Sequence, residues 1–264
     1  MKRIACVVAL ASAIPACVSA PSPLAPGVRG SVGTPSGGVL TEATELPVSG
    51  DGFRRLRPRA RTYFGTDALV RTLAWSAPRA RVRESDPPLL VGDIAGPRGG
   101  RLSGHHSHRT GRDVDLLFFY VTPAGAPIEA PGFLKIGADG MAKTEDGAFV
   151  RLDVPRCWAL VKALLSSPHA EVAWLFVASH VEALLVEHAR ALGEPDWLVW
   201  RAENVLHQPG DSAPHDDHFH LRIGCSDDEA VAGCVSGAPA WPWLPAARSL
   251  PPDASVEALL AADP

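Results

Sequence analysis

The sequence predicts an α+β fold: a small antiparallel β-sheet flanked by helices and long loops. Three observations lead there. Two segments, Asp113-Val114-Asp115-Leu116-Leu117-Phe118-Phe119-Tyr120 and His218-Phe219-His220-Leu221-Arg222-Ile223, carry the two-residue alternation of a strand. Between them lie stretches with apolar residues at helical spacing. Glycine and proline are abundant, 24 and 25 of 264 residues, which favours loops over a helical bundle. The length suits one domain with appendages. The net charge of −4 offers no global attraction to nucleic acid.

The chain opens on Met1-Lys2-Arg3 and an apolar run from Ile4 to Ala16. That reads as an export signal over residues 1–17, too short for a membrane span. Two cleavage points stand. One follows Val18-Ser19-Ala20, with Pro21 after the cut. The other, Ile14-Pro15-Ala16-Cys17, resembles a bacterial lipobox in which Cys17 carries the lipid. The address is then the periplasm, as a lipoprotein held at a membrane through Cys17. Residues 18–44, rich in Pro, Gly, Ser, Thr and Ala, read as a flexible linker without fixed structure. The folded domain spans residues 45–235, and the tail 236–264 wraps the surface.

Within the domain, the arginine run from Phe53 to Arg61 reads as a solvated face or a rim for an anionic polymer. Thr66 caps a helix to about Ser76, which Pro78 stops. Pro87 to Val91 enters a strand. Gly96-Pro97-Arg98-Gly99-Gly100 is a loop, and residues 122–150 are loop-rich. Cys157 to Leu165 is a helix and Val172 to Val177 a buried strand. His180 to Leu192 is an amphipathic helix with Val181, Leu184, Leu185, His188, Ala189 and Leu192 on one stripe. Asp196 to Val205 is a further helix, with Trp197 and Trp200 assigned to the core. His169, His180 and His188 read as partly buried structural histidines. Cys157 reads as a buried free thiol. Cys225 and Cys234 are expected to form a disulfide in an exported protein.

Chemistry concentrates in two places. The segment from Gly104 to Asp115 and the segment His215-Asp216-Asp217-His218-Phe219-His220 together hold six of the ten histidines and four aspartates. Imidazole is the commonest protein ligand for zinc, and a carboxylate is a usual third. His108 lies on the loop entering the first strand, Asp115 lies on that strand, and Gly111 lets the turn between them tighten. Pairing with the second strand would bring in His220. His108, Asp115 and His220 are therefore the predicted ligands of one zinc per chain, with a fourth position open to water, the pattern of catalytic zinc. His218, on the face of His220, is the first choice for general base or oxyanion stabiliser, and His215 the second. His105 lines the metal as a weaker ligand, and His106 is an exposed loop residue. There is no His-Glu-x-x-His helix and no Ser-x-x-Lys motif.

These motifs resemble the superfamily of lysostaphin, the D-Ala-D-Ala metallopeptidases and the hedgehog signalling domain. More narrowly, the chain is similar to the penicillin-insensitive murein endopeptidases. The resemblance runs through Gly92-Asp93-Ile94, Gly99-Gly100, Gly104-His105-x-Ser107-His108-x-x-Gly111-x-Asp113-Val114-Asp115 and His215-x-x-His218-x-His220-x-Arg222, over about residues 45–235. It implies a periplasmic zinc endopeptidase that cuts D-alanyl–meso-diaminopimelyl cross-links between peptidoglycan stem peptides. It places the zinc ligands on His108, Asp115 and His220, the catalytic histidines on His218 and His215, and a metal-proximal histidine on His105. Some members carry an Asp and a His three residues apart between the two motifs, linked to a second metal. Here Asp146 is followed by Phe149, which argues against that second metal. Three rivals differ from this reading: a wall carboxypeptidase or dipeptidase, a non-catalytic zinc-containing wall-binding lipoprotein, and a polyanion-binding module built on the arginine run.

Overall fold

The computed structural model describes residues 30–210, 212–244 and 261. The export signal, Cys17 and most of the tail after Leu244 lie outside the described residues.

The chain enters through a hairpin, β1 (Gly30–Thr34) and β2 (Gly37–Thr41), in a region expected to be a flexible linker. The correction has a physical reason. Val32 and Leu40 are buried, and the hairpin's backbone bonds outward. Gly33 exchanges bonds with Gly233 and Val235, and the Leu40 amide donates to the Arg98 carbonyl at 2.9 Å. Small residues suit these close approaches: a Cβ on Gly38 would meet the Val32 carbonyl at 2.2 Å.

Short strands β3 (Thr44–Glu45), β4 (Ser49–Gly50), β5 (Phe53–Arg55) and β6 (Phe64–Gly65) lead to α1 (Asp67–Ser76). Thr66 caps α1 as expected, accepting from the Leu69 amide at 3.2 Å. Then come β7 (Leu89–Val91), β8 (Asp113–Leu117), β9 (Tyr120–Val121), β10 (Pro127–Ile128), β11 (Met141–Lys143) and β12 (Phe149–Leu152). The last four form a small sheet of their own, in order β10-β9-β12-β11, in the stretch expected to be loop-rich. Asp153 caps α2 (Val154–Leu165), so this helix begins earlier than Cys157. The chain continues through β13 (Val172–Phe176), α3 (Ser179–Ala191), α4 (Asp196–Val205), β14 (Leu206–His207), β15 (His218–Ile223) and α5 (Asp227–Val231).

The main sheet has seven strands in the order β14-β13-β15-β8-β7-β5-β4. It is mixed rather than small and antiparallel: the centre β13-β15-β8-β7 is antiparallel, but β5–β7 and β13–β14 are parallel. Phe219, Leu221 and Ile223 point to one face of β15 and join the core with Val114, Leu116 and residues of α2, α3 and α4. His218, His220 and Arg222 take the other face. Along α4 the buried residues are Leu198, Val199, Ala202 and Val205. That stripe leaves Trp197 and Trp200 outside the core, 56% and 48% exposed, contrary to expectation. Leu192 also leaves its predicted stripe, because α3 has ended before it and the residue stands exposed. Cys157 is buried and free, its thiol pushed up to about 12 by burial. Cys225 and Cys234 form the expected disulfide, with Cα atoms 6.0 Å apart.

Arg112 closes the architecture. Fully buried, it donates from Nε to Ser31 Oγ at 2.7 Å, from Nη1 to the Ile223 carbonyl at 3.1 Å and from Nη2 to the Val235 carbonyl at 2.8 Å. One guanidinium thus ties the hairpin, the end of β15 and the loop after the disulfide. Its fixed fork of donors suits it to three acceptors on different segments.

Candidate metal centre and active site

Register builds half of the site. β15 runs antiparallel to β8 with His220 opposite Asp115 and Arg222 opposite Asp113. Cross-strand partners share a face, so two basic side chains meet two acidic ones at the centre of the sheet. Asp113 Oδ1 accepts from His220 Nε2 at 2.8 Å and from Arg222 Nε at 2.7 Å. Burial opposes ionisation of Asp113, but Arg222 and His220 hold its carboxyl well below the usual range. With the proton on Nε2, the lone pair of His220 lies on Nδ1, which faces Asp115 Oδ1 at 3.5 Å.

The other half comes from a loop. His108 has φ +65°, a left-handed conformation unusual for a residue with a side chain. Gly111 has φ +69°, and a Cβ there would meet Leu40 Cδ2 at 2.6 Å. The hairpin therefore packs directly beneath the histidine loop. His108 is fully buried. Its Nδ1 donates to the Ile94 carbonyl at 2.7 Å, which leaves the lone pair on Nε2. Nε2 lies 3.3 Å from Asp115 Oδ1.

Three lone-pair-bearing atoms thus converge: His108 Nε2, His220 Nδ1 and Asp115 Oδ1. His108 Nε2 and Asp115 Oδ1 are buried without a hydrogen-bond partner. Buried polar atoms are normally paired, and acceptor atoms packed this closely repel unless a cation lies among them. The charges agree. Burial disfavours a charged His108, yet Asp115 raises its pKa above the ordinary value. Asp115, although buried, is held well below the carboxylate range by His108, His218 and His220. A pocket that stabilises one carboxylate and draws positive charge toward it fits a metal cation.

The remaining histidines ring this point. His218 Nδ1 donates to Asp217 at 2.5 Å, and its Nε2 lies 3.4 Å from Asp115 Oδ1. Burial lowers its pKa, but Asp115 and Asp217 outweigh that and push it up to about 9. His215 has φ +54° and its ring centroid lies 5.0 Å from that of His218. Burial and the neighbouring His220 and His218 pull it down to about 4. His105 Nε2 lies 3.2 Å from Asp93 Oδ2 and its Nδ1 3.9 Å from Asp115 Oδ2. His106 is exposed.

Among the described residues, two separate sets could hold a metal ion, His105–His108–Asp115 and His215–His218–His220, each with ligand atoms within 4.8 Å of one another. The predicted trio of His108, Asp115 and His220 spans both. Asp146 is exposed and bonds within its own turn, to Thr144 and Ala148. Sequence reasoning missed four supporting groups: Asp113, Asp217, Asp93 and the Ile94 carbonyl. Alternation places Asp113 on the face of Asp115 but gives it no role there. Asp93 and Ile94 lie in the Gly92-Asp93-Ile94 motif and Asp217 lies beside His218, but nothing local reveals what they support. Phe133, 43% exposed and with its ring edge-on to His218 at 5.1 Å, is a wall of the site that composition did not suggest.

The sequence profile of the family described as penicillin-insensitive murein endopeptidase matches residues 31–242. The chain belongs to that family. A penicillin-insensitive murein endopeptidase of Haemophilus influenzae is 28% identical over 238 residues, 84% of this chain and 72% of the relative. One of Salmonella paratyphi C and one of Salmonella typhi are each 31% identical over 209 residues, 77% of this chain and 69% of the relative. The murein endopeptidase match begins inside the hairpin, not at residue 45, in keeping with the hairpin's place under the histidine loop. No helix among the described residues is long and apolar enough to cross a membrane.

Proposed function

We propose that the chain is a zinc-dependent endopeptidase that hydrolyses D-alanyl–meso-diaminopimelyl cross-links between peptidoglycan stem peptides. The observation that carries this reading is the convergence of His108 Nε2, His220 Nδ1 and Asp115 Oδ1, two of them buried without a hydrogen-bond partner. Family membership supplies the substrate class, since the relatives are named as murein endopeptidases.

Under this reading His108, Asp115 and His220 hold one zinc, with His105 beside it. Bound there, zinc supplies a Lewis acid for the scissile carbonyl and lowers the pKa of water to roughly 7. Asp113 fixes the tautomer and ring orientation of His220, as the Ile94 carbonyl does for His108. His218, steered by Asp217, presents Nε2 to the reacting centre; a cation bound at Asp115 would offset the carboxylate that holds the ring charged, and Nε2 would then take or return the proton there. His215, neutral at pH 7, offers an N–H to the developing oxyanion. Phe133 shields the side of His218 from solvent.

The reading extends to the address: an export signal over residues 1–17, a lipid on Cys17 and work in the periplasm. The deciding assay incubates the protein with cross-linked muropeptide dimers, with and without chelator. Monomers should appear, vanish with chelator and return with Zn2+. Undiminished cleavage under complete chelation would sink the zinc mechanism, and intact dimers in all arms would sink the endopeptidase.

A further inference from the structure

An aromatic ladder leads away from the site along β13, the strand next to the β14 edge of the sheet. Phe176 stands at its near end, with its ring centroid 5.4 Å from His220 and 6.0 Å from His215. Trp174 stacks on Phe176 at 5.6 Å and meets Trp241 edge-on at 5.5 Å. Trp241 stacks on Trp243 at 5.2 Å, and Trp243 meets Trp200 at 5.4 Å. All five rings are at least partly exposed.

Three of the indoles have their polar atom satisfied internally. Trp174 Nε1 donates to the Gly237 carbonyl at 3.1 Å, Trp241 Nε1 to Ala173 at 3.0 Å and Trp243 Nε1 to Val172 at 2.9 Å. With these N–H groups bonded to backbone carbonyls, the exposed parts of the three rings are mainly carbon, and the bonds hold the rings to β13 and to the loop after the disulfide. Two arginines pack on it, Arg201 over the Trp243 ring at 5.0 Å and Arg222 over the Phe176 ring at 5.3 Å. Each is committed to a carboxylate, Arg201 to Glu171 and Arg222 to Asp113, which among the described residues leaves Trp174, Trp241 and Trp200 without a cation over the ring. The ladder therefore suits an uncharged ligand and not a phosphate backbone. A pyranose ring is such a ligand, because its axial C–H bonds form an apolar face that packs on the negative face of an aromatic ring.

We propose that this ladder is a docking platform for the glycan strand that carries the stem peptides, aligning the polymer so that a cross-link enters the site beside Phe176. The proposal rests on the endopeptidase reading for its substrate, and its continuity with the site through Phe176 selects the occupant.

The test uses the full chain and, as probe, a β-1,4-linked N-acetylglucosamine tetramer, with binding followed by tryptophan fluorescence and calorimetry. Oligothymidylate and a leucine-rich helical peptide serve as competing probes. Trp200→Ala and Trp241→Ala should each weaken tetramer binding about fivefold, and Trp241→Phe should recover most of that loss. The double variant should cut intact sacculi at least about tenfold more slowly while cutting glycan-free peptide dimers at the wild-type rate. Thermal unfolding of each variant separates loss of the platform from loss of the fold. No binding of the tetramer, tighter binding of either competing probe, or equal slowing on both substrates would overturn the proposal. Tetramer binding by a protein that cuts neither substrate would leave the platform standing and remove the endopeptidase reading instead.

Discussion

The two halves of the site are built by different physics. The half on β15 is set by a hydrogen-bonded ladder: once His220 lies opposite Asp115, Arg222 must lie opposite Asp113, and all four side chains share a face. The half that presents His108 has no ladder. It depends on a left-handed φ at His108, a glycine at 111, the Ile94 carbonyl and a hairpin pressed underneath. A strand transmits register over its whole length. A loop holds a side chain only as well as its separate contacts do. The strand half should therefore fail chemically when altered, and the loop half should fail through loss of position and stability.

The largest effects test the strand half. His220→Ala should lose bound zinc and activity together, read by metal analysis and muropeptide cleavage. His218→Ala should keep the metal and lose roughly 100- to 10,000-fold in rate. Normal turnover by His218→Ala would falsify its role in proton transfer. Asp113→Asn keeps the size of the side chain but removes the charge that orients His220 and pairs with Arg222. Zinc affinity should drop about 10- to 100-fold, measured by competition with a chromophoric chelator.

The loop half is probed by Gly111→Ala. The new methyl meets Leu40 and the backbone must keep φ +69°. Stability should fall by about 2 kcal/mol in denaturant unfolding, with weaker metal binding as a consequence. An unchanged unfolding midpoint would show that the hairpin is not a buttress.

The smallest effect concerns pH. Asp93 anchors the loop half through His105, Thr62 and Arg57. Burial raises its pKa, but these partners outweigh that and hold it down to about 2. Because the folded value is depressed, the stabilisation is present above the unfolded value of about 3.9 and is lost as pH falls from there toward 2. The contribution is about 2 to 3 kcal/mol at most. Asp93→Asn should flatten the acid limb of the stability curve in that window. A mutant whose limb matches the wild type would remove Asp93 from the acid response.

How much was legible follows the same division. Alternation in Asp113–Leu117 and His218–Ile223 was readable because a strand's period is local, and it assigned Asp115 and His220 each to the face turned away from the apolar core. The Thr66 cap was readable because a cap acts within one turn. The hairpin at residues 30–41 was not, because serine, glycine and threonine look the same in a tether and in a strand that presses close on a loop. Trp197 and Trp200 were misplaced because the stripe of α4 that turns inward depends on what packs against it. The parallel edges of the sheet were hidden because strand order is a long-range property.

By itself, the sequence determined the ligand chemistry: which imidazoles and carboxylates are available, on which strands, and on which faces. Tertiary structure alone decided their protonation and aim. The Ile94 carbonyl and the Asp113 carboxylate choose the tautomers of His108 and His220, and burial strips Asp115 of competing water. Those choices arise from contacts between segments distant in the chain, and local residue pattern carries no record of them.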